Sequence, residues 1–390
     1  MKLGVIRESF PGEARVALVP GVIASLAKRG VLVQVEAGAG SEAGYGDDAY
    51  AAAGAELVAE RAAVVRDADL LAQVRGPGAN PRQGDLDLEL THPGQILVGL
   101  QDPLGNPERV EAMARRRLTV FGLELLPRIS RAQAMDVLSS MANLAGYKAV
   151  LLAAAAAPRV FPMMMTAAGT LAPARVLVLG AGVAGLQAIA TAKRLGAVVE
   201  AYDVRPEVRE QVLSVGGKFV DLGLDTTGLA DQSGYAKAQS ADFSRRQQQA
   251  LGERVRAADV VITTAQVPGR RAPVLITAAM MQGMKRGAVI VDLAAEQGGN
   301  CEKTKPGETR DQDGVSILGP LNLPSTLAFH ASQLYAKNIA TFVLGLVDAA
   351  GAPALDLEDQ IIRDTLLTRD GVVVNARVRA ALEPAQAKTA

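Results

Sequence analysis

The stretch ARVLVLGAGVAGLQAIATA, residues 174–192, constrains the fold more than any other part of the chain. An apolar β-rich run, Val176 to Leu179, enters a glycine turn, and the turn opens the helix-forming run LQAIATAKRLGA. Gly180, Gly182 and Gly185 stand in the spacing G-x-G-x-x-G, and a second β-rich run follows that ends in Asp203, about 20 residues on. Each glycine has its own physical task. The first permits the tight turn, the second lets backbone approach a pyrophosphate, and the third lets helix pack on strand. The pyrophosphate then meets the positive end of a helix, where unpaired N–H groups point outward. In a chain with 39 glycines the spacing alone is weak, and a purely structural glycine turn is the simpler alternative. The strand, turn, helix and strand around it are what favour a dinucleotide. Asp203 suits a ribose 2′-hydroxyl and repels a 2′-phosphate, so the cofactor is expected to be NAD(H). Arg205, two residues on, is the group that would instead receive such a phosphate.

The same alternation of strand and helix runs through the chain twice. KLGVIRE, VLVQVEA, AELV, DLLAQV, QILVGLQ and TVFGLEL form a first series of β-rich runs; RVLVLG, VVEAYD, KFVDL, DVVITTA, AVIVDL and VSILG form a second. Alternation implies parallel, doubly wound sheets. The expected fold class is therefore α/β, with two doubly wound, Rossmann-like domains joined by long helices and a cleft between them as the natural ligand site. AQAMDVLSSMANLAGYKAVLLAAAAA and STLAFHASQLYAKNIATFVLGLVDAA are the two crossing helices. Residues 1–140 with 320–380 make a discontinuous first domain, 141–319 the dinucleotide domain and 381–390 a flexible tail. The polar segment Gly223 to Ala250 interrupts the second domain and reads either as a solvated insertion or as a functional loop.

Composition excludes several classes. Lys plus Arg and Asp plus Glu are 41 each, and no basic stripe appears, so nucleic acid is not an expected partner. Hydrophobic residues are 49% but aromatics only 3%, which requires an aliphatic core. A single cysteine, Cys301, excludes an internal disulfide and a cysteine zinc site, and reads as a small buried residue. Arg7, Glu8 and Glu13 interrupt the N-terminus where an export signal needs an apolar core. The longest greasy runs, Ala149 to Ala157 and Ile339 to Val347, are about nine residues, against roughly 20 for a bilayer crossing. A soluble chain with no direct membrane span is the expectation.

A dehydrogenase acting on an alcohol or amine must move a proton with its hydride, and histidine usually does that work. This chain has 2 histidines. His92 precedes Pro93 in THPGQ and reads as a solvated loop residue; His330 in LAFHASQ reads as a packed or capping residue of a helix. Neither has ligands at metal spacing. Asp47 with Asp48, and Asp67 with Asp69, read as solvated or helix-terminal pairs.

At the level of whole motifs the chain resembles the soluble NAD(H)-binding alpha-1 subunits of proton-translocating NAD(P) transhydrogenases, and more distantly alanine dehydrogenases. RISRAQAMDVLSSMANLAGY (Arg128 to Tyr147), GAGVAGLQA, YDVRPEVREQV (Tyr202 to Val212), GYAK (Gly234 to Lys237), DLAAEQGGNCE (Asp292 to Glu302) and SQLYAKN (Ser332 to Asn338) carry the match in order. Alanine dehydrogenases use an Arg, a Lys, a His and an Asp around the amino acid. Here the corresponding positions hold Arg15, Arg75, Gln101 and Glu296. The amino-acid chemistry is not carried over.

For a transhydrogenase the hydride acceptor is a second nicotinamide, so no proton is exchanged at the reacting carbons. What remains is proximity: two rings held roughly 3–3.5 Å apart with water excluded. The resemblance implies that Arg128, Gln133, Asp136 and Ser139 are the catalytic set, with Gln133 bridging the nicotinamide end toward the partner nucleotide. It adds Ile129, Ser130 and Arg131 to the cofactor contacts. By residue type alone, RISRAQAMDVL is only a capped helix start with Ser130 at the N-cap. Val183, Asp203, Val204 and Arg205 match adenosine-side positions, and Gly234, Tyr235 and Gln247 match a mobile loop that closes over the nucleotide. Gln266, in TTAQVPG, stands where the family usually has an apolar residue before its turn and is placed with the cofactor contacts.

The resemblance also implies partners: an NADP(H)-binding subunit, a membrane-spanning subunit and a second copy in a homodimer, on the cytoplasmic side of the membrane. Two other readings predict different behaviour. A free-standing alanine-type dehydrogenase would oxidise alanine unaided, and a non-catalytic NAD-sensing module would close its 223–250 loop without hydride chemistry.

Overall fold

The structure, a computed structural model, describes residues 1–224, 240–266, 269 and 271–383. In chain order its strands are β1 (Lys2–Val5), β2 (Leu32–Glu36), β3 (Glu56–Val58), β4 (Leu70–Arg75), β5 (Ile96–Leu100), β6 (Thr119–Gly122), β7 (Met164–Thr166), β8 (Gly169–Leu171) and β9 (Arg175–Leu179). They continue with β10 (Val198–Tyr202), β11 (Lys218–Phe219), β12 (Val260–Thr263), β13 (Val289–Asp292), β14 (Thr309–Gln312), β15 (Val315–Leu318), β16 (Leu366–Arg369) and β17 (Val372–Val373). The chain divides into two compact units, residues 1–141 with 325–390 and residues 142–324. Both are mixed, mostly parallel α/β sheets.

The first unit holds an eight-stranded sheet in the order β17-β16-β6-β5-β4-β1-β2-β3. β1 to β6 are parallel, and their apolar residues are buried because helices cover such a sheet: Leu3, Val5, Leu71, Leu97, Val98, Val120 and Phe121 are at most 1% exposed. The chain builds outward from β1 through β2 and β3, then returns to place β4, β5 and β6 on the other side. The order therefore reverses between β1 and β4, the place where ligands enter such sheets at the carboxyl ends of the strands. Glu8, just past β1, bridges that point: its carboxylate accepts from the backbone N–H groups of Val74 (2.6 Å) and Arg75 (3.1 Å).

The second unit has the seven-stranded order β11-β10-β9-β12-β13-β15-β14, with its reversal between β9 and β12. All neighbours are parallel except the edge pair β14 and β15. The helix Val183–Arg194 follows the glycine turn, buries Gly185, Ala188, Ile189 and Ala192, and carries Lys193 and Arg194 in its last turn, where cations favour the carbonyl end of the dipole. One apolar cluster lies around Val176, Val178 and Ile262, and a second around Leu177, Leu179 and Val261, so alternate residues of the same strands feed opposite faces of the sheet.

Several expectations are corrected. Strands β14, β16 and β17 and the hairpin β7–β8 add to the two series of runs that the sequence predicts. Two of these hairpins turn on an Asp-Gly pair with both residues at positive φ, Asp313–Gly314 (56° and 86°) and Asp370–Gly371 (51° and 90°), which is a readable signal. KFVDL yields only the two residues of β11. The expected loop to Ala250 ends sooner, because Ala241–Ala257 is a helix with Ser240 accepting from Phe243 N at 3.2 Å as its N-cap. Phe243, Gln247, Leu251 and Val255, four residues apart, form its buried stripe. The glutamine in that stripe and the Arg/Gln-rich opposite face make it read as polar. Residues 225–239 of the same segment, with Gly234 and Tyr235, lie outside the described residues.

The two crossing helices are also shorter than expected. The first runs over Val137–Ala156 and not from Ala132; the second over Ala328–Leu344. The 20-residue helix Val137–Ala156, with a mean hydropathy of 1.3, has the length and composition of a membrane span, although its longest uninterrupted apolar run is short. It packs within the second unit through Ala149, Val150 and Ala153, and Gly146 lies so near the backbone of Ala184 that a Cβ there would stand 2.1 Å from its carbonyl oxygen. Of the tail, Ala381 and Leu382 belong to the helix Ala376–Leu382, and residues 384–390 lie outside the described residues.

Candidate functional site

At the reversal point of the second unit, β9 ends in a turn whose Gly180 has φ +96°, a conformation L side chains rarely adopt. Gly180 N–H donates to Tyr202 O at 2.8 Å, tying the turn to the end of β10. Gly185 is a packing glycine: a Cβ there would sit 1.9 Å from Gly180 O. Gly182 is different in kind. A Cβ on it would meet nothing nearer than an Arg205 guanidinium nitrogen at 4.0 Å, so the space over it is open. Val183, the first helical residue, is exposed, with the N-terminal N–H groups of its helix beside it.

Asp203 is buried beside this turn and accepts from Ala181 N at 2.7 Å. It also holds Arg205 by the backbone N–H and the guanidinium, each contact at 2.9 Å. Val204 packs against the core cluster of Leu179 and Tyr202. Gln247, expected on a closing loop, is instead buried on the helix Ala241–Ala257 and donates to the Tyr202 hydroxyl at 3.0 Å. Burial pushes that phenol above its usual range.

Sequence reasoning missed the residues that brace this turn from the other side. Thr264, just past β12, donates its hydroxyl to Gly180 O at 3.0 Å. Asn300, fully buried, accepts from Ala265 N (3.0 Å) and donates to Ala265 O and Pro273 O (both 2.8 Å), clamping the peptide that leads to Gln266. Gln266 is exposed and donates to Leu293 O at 2.7 Å. Asp292, at the carboxyl end of β13, is fully buried and accepts from Thr263 Oγ1, Ala294 N, Cys301 N and Thr304 Oγ1 at 2.7–3.0 Å. An acidic residue ending an apolar parallel strand was the available signal. Glu296 accepts from Asn322 N at 2.7 Å, so it too serves backbone structure. Cys301 is buried, and burial raises its thiol pKa.

The run Arg128 to Ser139 lies in the first unit and is not a plain helix start. Ser130–Met135 form a 3₁₀ turn, and the α-helix begins at Val137. Asp136 is its cap, not Ser130: it accepts from Ser139 N at 2.9 Å and from Ser139 Oγ at 2.5 Å. Arg128, Ser130, Arg131 and Gln133 are exposed, while Ile129, Asp136 and Ser139 are half-buried. Arg131 forms a two-pronged pair with Asp359 at 2.6 and 2.7 Å.

At the carboxyl ends of β4 and β5 in the same unit, Arg15 is buried against Glu13 (2.7 and 2.6 Å), and Arg75 reaches Glu13 at 3.2 Å and stacks over Phe10. Glu8 beside them is pushed up to about 8 by burial and by the neighbouring Glu13 charge. Gln101 is fully buried, its Oε1 accepting from Gly78 N at 3.2 Å. Glu124 accepts from the N–H groups of Gln101 and Asp102, both at 2.6 Å, and burial raises it to about 7. The histidines lie apart from this chemistry. His92 is exposed, with Nε2 3.3 Å from Ala68 O, before the amino end of β5. His330, expected to be packed, is exposed and touches only the edge of the Phe329 ring among the described ring contacts, because it falls on the outer side of its helix. Among the described residues no His/Cys/Asp/Glu cluster could hold a metal.

Two family descriptions match. The alanine dehydrogenase/PNT N-terminal domain covers residues 4–145 and the alanine dehydrogenase/PNT C-terminal domain covers residues 149–376. The chain is 47% identical over 377 residues to an NAD(P) transhydrogenase alpha subunit of Rhodospirillum rubrum, the first portion of a divided alpha subunit, covering 96% of this chain and 98% of that one. Alanine dehydrogenase of Halomonas elongata is 31% identical over 92% of this chain and 91% of its own. Among solved structures, a transhydrogenase from Sinorhizobium meliloti superposes with a TM-score of 0.84 at 45% identity, covering 96% of this chain and all of that one (100%). The identity is well above that to alanine dehydrogenase, in keeping with Gln101 and Glu296 at positions where that enzyme has other groups. The chain belongs to the alanine dehydrogenase/PNT family and, within it, is a homologue of the NAD(P) transhydrogenase alpha subunits.

Proposed function

We propose that this chain is the NAD(H)-binding component of a proton-translocating NAD(P)⁺ transhydrogenase, Re/Si-specific as its family resemblance implies. It would hold NADH for direct hydride transfer to NADP⁺ on a partner subunit, with proton movement left to membrane subunits. The observation that carries the reading is the turn at the reversal between β9 and β12. Gly182 leaves open the space a side chain would fill, the helix N-terminus of Val183–Arg194 adjoins it, and Asp203 stands beside it. These residues fit a dinucleotide: N–H groups for the pyrophosphate and a carboxylate for the ribose hydroxyls.

When bound, NADH supplies the hydride, and the chain's own work is to orient and exclude. Asp203 accepts from the ribose and keeps Arg205 from offering its charge to a 2′-phosphate. Asn300 and Thr264 hold the 264–266 peptide against the glycine turn, so the site enters the reaction already shaped, which is where proximity gains arise. Gln133, with Arg128, Asp136 and Ser139, would fix the nicotinamide end; an amide can orient a carboxamide without taking a proton. The buried Gln101 offers no titrating group, which speaks against amino-acid oxidation. The proposal includes a homodimer on the cytoplasmic side, to which the exposed Met163, Met164, Met165 and Leu171 of the β7–β8 hairpin region offer an apolar surface.

The test mixes purified chain with an NADP(H)-binding subunit and follows hydride transfer between NADH and an NADP⁺ analogue. Transfer that requires both proteins is expected. Tight NADH binding with no transfer would defeat the proposal, and NAD⁺-dependent oxidation of alanine by the chain alone would replace it with the alanine-type reading.

A further inference from the structure

The 3₁₀ turn Ser130–Met135 has little to hold it in place. Turns of this kind have poor hydrogen-bond geometry, and only Ala132 of its six residues is buried. Yet it carries Gln133, an exposed side chain whose direction depends wholly on the backbone beneath it. Three contacts fix that backbone. Asp136 caps the following helix through Ser139. Asn338 donates to Ala134 O at 2.8 Å from the largely buried helix Ala328–Leu344. Near the start of the turn, both guanidinium nitrogens of Arg131 reach both oxygens of Asp359. Asp359 is itself rigidly mounted: it caps the helix Gln360–Thr365 by accepting from Ile361 N at 2.8 Å, and that helix is rooted by the buried Ile361, Ile362 and Thr365.

We infer that Asp359 is a positioning residue, which through its two-pronged pair with Arg131 sets the turn that presents Gln133. The consequence for nicotinamide orientation rests on the function proposed above; the mechanical claim about the turn does not. The inference also gives Arg131 a different task from the cofactor contact implied by resemblance, since its guanidinium is committed to Asp359. A bidentate guanidinium–carboxylate pair fixes angle as well as distance, and that geometric constraint is its contribution here. Being exposed on the Arg131 side, the pair adds little to global stability. Its loss should therefore appear in local order and not in the melting temperature.

The experiment uses the full chain with Asp359→Asn, Arg131→Gln and both together. Asparagine keeps the helix cap while losing the ion pair, so folding is preserved. In the nucleotide-free chain, backbone amides of residues 130–136 should exchange about tenfold faster in Asp359→Asn, while the second unit is unchanged. NADH binding, followed by fluorescence, should weaken about three- to tenfold, and the double variant should be no weaker than either single one, the non-additivity expected of one shared interaction. Unchanged exchange over 130–136 in Asp359→Asn would overturn the inference. So would an Arg131→Gln loss of NADH affinity that is as large in the Asp359→Asn background as in the parent, because Arg131 would then touch the nucleotide itself. A chain that bound no NADH would sink the proposed function alone, with the exchange measurement still deciding the role of Asp359.

Discussion

Asp203 holds the guanidinium of Arg205 on two prongs, Nε to Oδ1 and a terminal nitrogen to Oδ2, both at 2.9 Å. The same carboxylate accepts from Ala181 N at 2.7 Å, so the acid that would read a ribose also fixes the glycine turn and restrains a nearby cation suited to a phosphate. Replacing Asp203 by Asn removes the charge that does this. NADH affinity is expected to fall about 10- to 100-fold, the scale of one or two charge-assisted hydrogen bonds. NADPH affinity should rise as Arg205 turns to the 2′-phosphate. Fluorescence titration with both coenzymes reads the two changes, and an unaltered preference would show that discrimination lies elsewhere.

The glycines of the turn separate by what surrounds them. Gly185→Ala places a methyl group 1.9 Å from Gly180 O, which forces helix from strand and should cost about 2–4 kcal/mol of stability in urea unfolding. Gly182→Ala meets nothing within bonding range, at a φ of −73° that alanine tolerates. It should fold with a melting temperature within about 2 °C of the parent, yet bind NADH at least about tenfold more weakly because the methyl occupies the pyrophosphate's place. Loss of stability in Gly182→Ala with intact binding would reverse the assignment.

Two buried carboxylates set an unusual pH dependence of stability. Glu8 and Glu124 are raised from 4.5 to about 8 and about 7, chiefly by burial, so the native state holds their protons where the unfolded chain has released them. The unfolded state then binds fewer protons, and stability falls as pH rises from about 4.5 through the folded values, by up to about 1.4 kcal/mol per pH unit for each group. Asp359 is held low by Arg131, and Asp259, against the effect of burial, by Lys285; such groups change stability only in more acidic solution. Urea midpoints should therefore decline between about pH 5 and 8, and Glu124→Gln should flatten the part below about pH 7. A midpoint that rises across this interval would contradict the burial of both acids.

How much of this site could be read from the chain depends on how far apart the partners lie. The glycine turn and Asp203 fall within one strand–helix–strand unit, so local chemistry was enough. The braces were invisible because their partners are distant: Asp359 lies 228 residues from Arg131, Asn338 lies 204 from Ala134, and Glu8 lies 66 from Val74. No spacing rule connects such pairs; only the folded sheet does. Gln247 failed for another reason. A buried polar residue in an apolar stripe erased the helical period, while the Tyr202 hydroxyl that satisfies it belongs to a separate strand.

Histidine supplies the sharpest negative expectation. Ligands approach parallel sheets at their carboxyl ends, whereas His92 sits ahead of the amino end of β5 and contacts Ala68 O. His330 is exposed against the edge of Phe329, with ring centroids 5.3 Å apart, and has no acid or base as a described partner. Neither is placed to pass a proton to a reacting carbon, and direct ring-to-ring hydride transfer calls for none. The variant His92→Gln/His330→Gln should then retain the hydride-transfer rate of the mixed proteins within about twofold, as expected for surface substitutions away from the chemistry. Stopped-flow measurement at saturating NADH and NADP⁺ analogue isolates that step from product release. A loss of about 100-fold or more, the range of general acid–base catalysis, would mean that a proton moves after all and that the clamp reading of this chain is wrong.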